Sequence, residues 1–297
     1  MRILTKLNRM MFCGIVVAAS GVLAASAAIN DADTCGVKIE RPVISTFSVE
    51  AGRASILDTY LTPIRYHGLN LRLGYEGMRA MGFSPEKWVM QGSGAVEYAN
   101  VQNHAKNHTI HSLMVGGKWG MMRRWNDVLL NKLTLMAGGS TQLRGGVLYC
   151  AHNSNNPVSA KIHWSVNLTG MAVYNMNIGK LPVTLRYQAT LPAVGAFFSL
   201  DYGEAFYELY LGNRNGIVNV GWWGNRFDMG NLVTADLHLG KSVLRVGYRN
   251  LIETSYVHNL NTQIFTHGFV LGISGEWLQL NPRKPLSPRT KIISAMY

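Results

Sequence analysis

The sequence predicts an all-β protein: a single transmembrane antiparallel up-and-down β-barrel of about 12 strands. The main observation is that segments of about ten residues alternate apolar and polar side chains, as strands do when one face meets lipid and the other a polar interior. A second is that no segment after residue 28 offers the roughly 18 or more consecutive apolar residues of a membrane-spanning helix. The third is an export signal at the start of the chain.

Residues 1–28 have the features of a secretory signal peptide. Arg2, Lys6 and Arg9 form a positive start, residues 13–25 are apolar, and small side chains end the stretch. An N-terminal membrane anchor is the alternative, but this apolar stretch is shorter than the roughly 20 residues that a spanning helix needs. We therefore predict export with cleavage of the signal.

The rest of the chain divides into three parts. Residues 29–44 are expected to be a periplasmic lead-in, residues 45–278 the barrel in the outer membrane, and residues 279–297 a basic periplasmic tail. Such a tail departs from barrels whose last strand ends the chain on an aromatic residue.

The alternation is clearest between Lys161 and Tyr174, where even positions are mainly apolar and most odd positions are polar. Leu181 to Leu191 repeats it after a turn at 177–180. A period of two dominates the chain and a period of 3.6 does not. The predicted strands are 45–52, 68–80, 88–100, 109–121, 132–144, 160–175, 181–192, 204–211, 216–224, 231–239, 242–252 and 262–278.

The connections between these segments sort into two groups. Those after even-numbered strands are mostly short, with Gly240 and Lys241 forming a tight hairpin turn. Most of those after odd-numbered strands are longer, notably 53–67, 145–159 and 193–203. Short periplasmic turns and long outer loops are typical of a membrane barrel with both termini in the periplasm.

A soluble β-sandwich would also alternate, but two features favour the membrane. Only 15% of the residues are charged. In addition, four tryptophans fall on the apolar side of predicted strands, as interfacial girdles require. They are Trp88, Trp119, Trp164 and Trp277.

The net charge of +12 comes from cations that are spread along the chain, so we expect no nucleic-acid binding. The excess favours general attraction to anionic surfaces such as lipopolysaccharide. The expected partners are outer-membrane lipid, lipopolysaccharide and the barrel-assembly machinery.

The chain also resembles a family of Gram-negative outer-membrane barrel proteins known only as a domain of unknown function. That resemblance implies an outer-membrane barrel and brings no assigned substrate, cofactor or catalytic residue. It rests on Asn153–Pro157, Leu191–Gly195, Tyr202–Glu208, Leu244–Asn250, Val257–Asn261 and His267–Gly272.

The candidate site consists of charged residues at inward-facing strand positions, which alternate with the apolar, outward-facing ones; we call these positions the inward parity. Because charges in a narrow lumen are costly unless paired, their near balance predicts an interior filled by salt bridges, and the alternative is a water-filled passage that selects ions. The acids are Glu50, Glu76, Glu97, Glu208, Asp236 and Glu276, and the bases are Arg72, Lys118, Lys161, Arg186, Arg245 and Arg249.

Catalysis has one weak candidate, His152 with Ser154 and Asn167, since a histidine can activate a serine as a general base. The segment around His152 is rich in Asn, which indicates a polar loop, and Asn167 falls on the inward parity. We therefore predict no catalytic residue.

Other reactive side chains are not expected to converge. His111, His258 and His267 fall on separate segments, so we predict neither a metal nor a cofactor. Cys35 and Cys150 are expected near opposite ends of the barrel and unbridged.

Two further segments, Tyr202–Glu204 and Arg226–Asp228, are expected in charged outer loops that could touch a partner. The favoured function is a structural or interaction barrel with a largely filled lumen. The alternatives are a narrow passive channel for small solutes and, less favoured, a phospholipase or lipid-modifying hydrolase.

Overall fold

The computed structural model describes residues 38–126, 128, 132–153, 156–201, 203, 205–212, 216–240, 242–277 and 290–296. The predicted signal peptide and most of the lead-in lie outside the described residues. The elements are β1 (Lys38–Glu40), β2 (Val43–Asp58), β3 (Thr62–Ala80), β4 (Trp88–Gln102), β5 (Thr109–Trp125), β6 (Leu133–Cys150), β7 (Val158–Ile178), β8 (Leu181–Phe198), α1 (Phe206–Tyr210), β9 (Val218–Gly221), β10 (Arg226–Leu239), β11 (Ser242–Val257), β12 (Leu260–Trp277) and β13 (Thr290–Ile292).

Ten of these strands, β2–β8 and β10–β12, form a closed antiparallel barrel. Each pairs with its neighbours along the chain, β8 pairs directly with β10, and β12 pairs with β2 from Trp277 opposite Val43 to Thr262 opposite Asp58. The predicted all-β barrel fold is therefore confirmed, with ten strands in the closed wall instead of about 12.

Two predicted strands account for the difference. Residues 204–211 were predicted to be a strand, but 206–210 form the helix α1, in which Phe206 turns towards Phe198 and Tyr60, with ring centroids 6.4 and 6.0 Å away. Residues 216–224 contribute only the four residues of β9, which pair with the end of β8. Both segments lie in the single long connection, 199–225.

The remaining strands are longer than predicted, and most of their connections are shorter. The expected loops at 53–67 and 145–159 shrink to 59–61 and 151–157. The reason is that apolar side chains such as Ile56 and Leu148 point inward there. Apolar and polar residues therefore no longer alternate in the sequence, although the strands continue.

The barrel has two distinct ends. The "loop end" carries the connections 59–61, 103–108, 151–157, 199–225 and 258–259. The "terminal end" carries Val43, Trp277 and the turns between β3 and β4, β5 and β6, β7 and β8, and β10 and β11. At two of these turns Gly179 and Gly240 adopt positive φ angles of 62° and 72°, which tight hairpins favour.

Apolar side chains fill the interior of the barrel near each end. The "loop-end cluster" consists of Ala54, Ile56, Leu61, Tyr66, Ala99, Val101, Ile110, Met114, Leu148, Cys150 and Ile264. The "terminal-end cluster" consists of Ile44, Met78, Val89, Met122, Met136, Met171, Val173, Ala295 and Met296.

The C-terminal segment closes the terminal end. β13 pairs in parallel with β1, and the amide of Ile293 donates to the Glu40 carbonyl at 3.0 Å. The Arg124 guanidinium donates to the carbonyl oxygens of Ser294 and Ala295, at 2.7 and 3.3 Å. Residues 290–296 of the predicted periplasmic tail therefore pack into the mouth of the barrel.

An ion pair at the surface holds the same segment. Lys291 Nζ lies 2.6 Å from Glu86 Oε1 in the connection between β3 and β4. The hydrogen bond and charge of Lys291 hold the pKa of Glu86 below its usual value.

The outward face of the wall is apolar. Two of the predicted tryptophans, Trp119 and Trp164, are exposed there and Trp88 is half-buried, while the side chain of Trp277 lies outside the described part. No described helix is long and apolar enough to cross a membrane. The exposed apolar side chains on the strands include Phe47, Val49, Leu69, Leu71, Leu73, Tyr98, Leu143, Val147, Ile162, Val166, Leu168, Leu185, Tyr187, Val233, Val246, Tyr248, Phe269, Leu271 and Ile273.

Candidate functional site: the charged lumen

A layer of charged and amide side chains occupies the lumen between the two apolar clusters. It is built by the period of two, which turns alternate residues of all ten strands inward. Ten of the twelve charged residues predicted for the lumen lie on this face. They are Glu50, Arg72, Glu76, Glu97, Lys118, Lys161, Arg186, Asp236, Arg245 and Arg249.

The other two predicted residues lie elsewhere. Glu208 is exposed on α1, because its segment folds as a helix instead of a wall strand. Glu276 keeps the inward register, opposite Ile44, but lies one residue from the end of β12 and is exposed at the rim of the terminal end.

One ion-pair group centres on Glu50 of β2. Its carboxylate lies 2.9 Å from the Arg72 guanidinium of β3 and 2.8 Å from that of Arg249 on β11. Glu50 is almost completely buried, whereas the two arginine side chains keep 18% and 28% of their surface accessible. One carboxylate therefore serves two cations here.

A second group crosses the lumen from β3 to the opposite wall. Glu76 accepts from Arg186 at 2.5 and 2.8 Å and from Arg245 at 2.7 Å. Arg245 also forms two hydrogen bonds of 2.7 Å to Asp236 on β10. Because Arg186 and Asp236 are fully buried, each charge depends on these partners.

Amide side chains extend the second group. Gln91 and Gln188 exchange hydrogen bonds of 2.9 and 3.1 Å across the lumen, and Gln91 also donates to Glu76. These bonds join side chains that are 97 residues apart in sequence.

A third group was missed by the sequence analysis. Arg144 of β6 lies between Glu97 and Glu253, 2.9 Å from a carboxylate oxygen of each. Arg144 has the inward parity of its predicted strand, which could have revealed it, whereas Glu253 lies one residue beyond the predicted end of its strand. All three side chains are nearly inaccessible.

Two smaller ion pairs lie nearer the loop end. Asp58 lies 3.0 Å from Lys161, beyond the predicted end of its strand. Asp228 accepts from Arg226 at 2.7 Å and lies 3.8 Å from His163. Arg226 and Asp228 therefore belong to the start of β10 and face inward, and their predicted place in an outer loop was wrong.

A cavity of about 120 Å³ remains in the middle of the lumen. Four cationic side chains, Arg72, Lys118, Arg144 and Arg249, line it. Lys118 donates to the hydroxyl of Thr190 at 3.3 Å. Two carboxylates, Glu76 and Asp228, share the wall with polar side chains that include Ser48, Gln91, Ser93, Gln142, Asn167 and Gln188.

The structure shows no catalytic triad among the described residues of the catalytic alternative. His152 lies in the connection after β6, with its ring centroid 4.4 Å from that of His108. Asn167 is buried on the inward face of β7, and Ser154 lies outside the described residues.

Possible metal ligands are dispersed. His111 and His267 lie on the outward face, where they hydrogen-bond to Tyr98 and Tyr248 at 2.9 and 3.1 Å. His258 lies 2.5 Å from Asp201 at the loop end. Within the described ranges, no group of three or more potential metal-binding side chains comes together.

Cys150 was placed in an outer loop by the sequence analysis but is the last residue of β6. It is a free, buried thiol in the loop-end cluster, because β6 continues beyond its predicted end. Cys35 lies outside the described residues.

Three solved structures are similar to this chain along most of its length. The transport unit of the autotransporter AIDA-I from Escherichia coli has 10% identity and a TM-score of 0.43, covering 88% of this chain and 97% of that one. The translocator domain of the autotransporter NalP from Neisseria meningitidis has 8% identity and a TM-score of 0.36, covering 91% and 98%. The β domain of the Bordetella autotransporter BrkA has 12% identity and a TM-score of 0.32, covering 80% and 100%. Similarity at this level does not indicate a shared activity.

No curated protein matches the chain significantly. A family profile described as "Protein of unknown function (DUF3316)" matches residues 10–284. Since this match spans most of the chain, the protein belongs to the DUF3316 family of proteins of unknown function.

Proposed function

We propose that the protein is an outer-membrane barrel with a filled lumen, which serves as a structural or interaction element and does not conduct solutes. The observation that carries this proposal is the filling of the interior in three layers. The loop-end cluster, the charged layer and the terminal-end cluster succeed one another along the barrel axis, and residues 290–296 seal the last of them.

The apolar outward face supports a position in a membrane. Monomeric soluble proteins rarely expose contiguous apolar patches of more than a few hundred Å², whereas this wall exposes aliphatic and aromatic side chains on nearly all of its strands. Its strands have 14 to 21 residues, more than the roughly 9–11 that a tilted strand needs to cross a bilayer. Outer-membrane lipid is accordingly the partner that we propose for this surface.

The orientation follows from the two ends. The predicted export signal and the sealed terminal end favour termini in the periplasm, which places the loop end outside. The long connection there exposes Tyr207, Tyr210, Trp222 and Trp223. Aromatic side chains are enriched where a membrane meets water, so this connection suits contact with outer-leaflet lipid and lipopolysaccharide. Insertion requires the barrel-assembly machinery.

The location is tested by fractionation. We expect the full-length protein to sediment with outer membranes, and to migrate faster on gels before boiling than after, because a closed hydrogen-bonded barrel resists detergent. A soluble periplasmic protein with unchanged mobility would contradict the proposal. A known soluble periplasmic protein from the same cells serves as the control.

The filled lumen is tested by conductance in planar bilayers. We expect the purified barrel to give no stable single-channel steps, because ion pairs and two apolar clusters block its axis. An open porin incorporated under the same conditions is the positive control. Large stable steps would reject the filled lumen, and small reproducible steps would favour the narrow passive channel.

A further inference from the structure

We propose that the cavity at the centre of the lumen binds a small inorganic anion of the halide or phosphate class. Its binding groups are Arg72, Lys118 and Arg249, which line the cavity together. The anion would complete the charge balance of the interior. This inference concerns a ligand site inside the barrel and goes beyond the structural role proposed above.

The inward face of the barrel carries an excess of positive charge. On the inward face of the wall, the described residues engaged in this network supply seven carboxylates and eight cationic side chains. The carboxylates are Glu50, Asp58, Glu76, Glu97, Asp228, Asp236 and Glu253, and the cations are Arg72, Lys118, Arg144, Lys161, Arg186, Arg226, Arg245 and Arg249.

The excess is located at Lys118. Every other cation in that set lies within 3.0 Å of a carboxylate oxygen, whereas the partner of the Lys118 ammonium is the Thr190 hydroxyl at 3.3 Å. The Glu76 carboxylate on the same cavity already accepts from Arg186, Arg245 and Gln91. Its oxygens are therefore occupied by other donors.

Two of the arginines on the cavity have N–H groups that bind no carboxylate. Arg72 bonds to Glu50 through one terminal nitrogen, and its buried Nε has no hydrogen-bond partner among the described residues. Among the described residues, Arg249 donates hydrogen bonds to Glu50 through its Nε only. Arg72, Lys118 and Arg249 thus have N–H groups left for the cavity. The fourth cation on its wall, Arg144, is held by Glu97 and Glu253.

The size of the cavity suits a small anion. Its volume of about 120 Å³ is several times the roughly 30 Å³ that a water molecule occupies in the liquid. A halide or a phosphate with a few waters fits this space, and the hydroxyls of Ser48 and Ser93 on its wall can donate as well. An organic acid with a large apolar body does not fit.

The positive charge on the cavity wall favours binding of an anion. A charge enclosed in a low-dielectric interior is costly unless it is paired, and N–H groups of cations form stronger hydrogen bonds with anions than with neutral acceptors. A small anion between Lys118, Arg72 and Arg249 would satisfy both requirements.

The test measures stability in different anions. The barrel is refolded in detergent at constant ionic strength with sodium bromide, sodium phosphate or sodium gluconate, whose anion is too bulky for the cavity. We expect the unfolding temperature of the wild type to be about 3 °C or more higher in bromide or phosphate than in gluconate. A response to phosphate alone assigns an oxyanion site, and a response to both assigns a site for small anions in general.

The matched variants are Lys118→Gln and Lys180→Gln. Both remove one positive charge, but Lys180 is exposed in the turn after β7. We expect Lys118→Gln to lose the anion-dependent shift and Lys180→Gln to keep it. Equal stability of the wild type in all three salts, or the same shift in Lys118→Gln, would overturn the proposal.

A second measurement does not depend on the folding of a variant. Crystals of the wild type grown in bromide are expected to show an anomalous scattering peak between Arg72, Lys118 and Arg249. If bromide crystals and phosphate crystals both lack an anion at that position, the proposal is wrong.

Discussion

Replacement of Arg144 by alanine is expected to lower the free energy of unfolding by about 3–5 kcal/mol, the usual cost of removing one partner of a buried ion pair. The cost is large because Arg144 lies between Glu97 and Glu253, and both carboxylates are almost inaccessible to water. Urea unfolding of the barrel in detergent, followed by tryptophan fluorescence, measures it.

Two variants control for this result. Arg123→Ala removes an exposed arginine from the outward face of β5 and should change stability by less than about 0.5 kcal/mol. A triple variant, Arg144→Met with Glu97→Gln and Glu253→Gln, removes all three charges and should recover much of the loss. An Arg144→Ala variant as stable as the wild type would show that the two carboxylates are solvated.

Deletion of residues 290–297 is expected to open the terminal end to water. Ala295 and Met296 pack against Met122 there, and Arg124 holds the segment through two carbonyl oxygens. In a background with Cys35→Ser, we expect a Met122→Cys thiol to react with a water-soluble maleimide in the deletion variant at least tenfold faster than in the full chain.

Cys150 provides the internal control for the deletion. Its thiol is buried in the loop-end cluster, at the other end of the barrel, so it should stay unreactive in both proteins. Labelling of Cys150 after the deletion would indicate a general loosening of the barrel. Equal reactivity of Met122→Cys with and without the segment would reject the seal.

The sequence predicted the middle of the strands better than their ends. Between Lys161 and Thr169 apolar residues face out and polar residues face in, and this contrast made β7 recognisable. Near the loop end the inward positions are apolar instead, as at Ile56 and Leu148. Alternation in polarity therefore fades while the hydrogen-bonded ladder continues, and strand ends cannot be located from the pattern.

The odd or even position of a residue along its strand was also sufficient to assign most of the charged site to the lumen. Glu50, Arg72 and Arg249 fall on the inward face because register alone decides which way a side chain points. The choice of partners was not predictable, because Glu76 meets Arg186 only after the wall has closed and brought residues 110 positions apart together. The predicted balance is lost because Glu208 lies on α1 and Glu276 at the rim. The other changes are two added cations, Arg144 and Arg226, and three added carboxylates, Asp58, Asp228 and Glu253.

The docked C-terminal segment has a consequence for the order of assembly. Its last residues rest on side chains from β2, β3, β4, β5, β6 and β7, including Ile44, Val89 and Met171. β12, which precedes the segment, closes the barrel against β2. The binding surface for Met296 is thus complete only once six neighbouring strands are curved into place, so an unfinished barrel leaves residues 290–296 undocked. Docking of this segment thereby distinguishes a completed barrel from a partly inserted one.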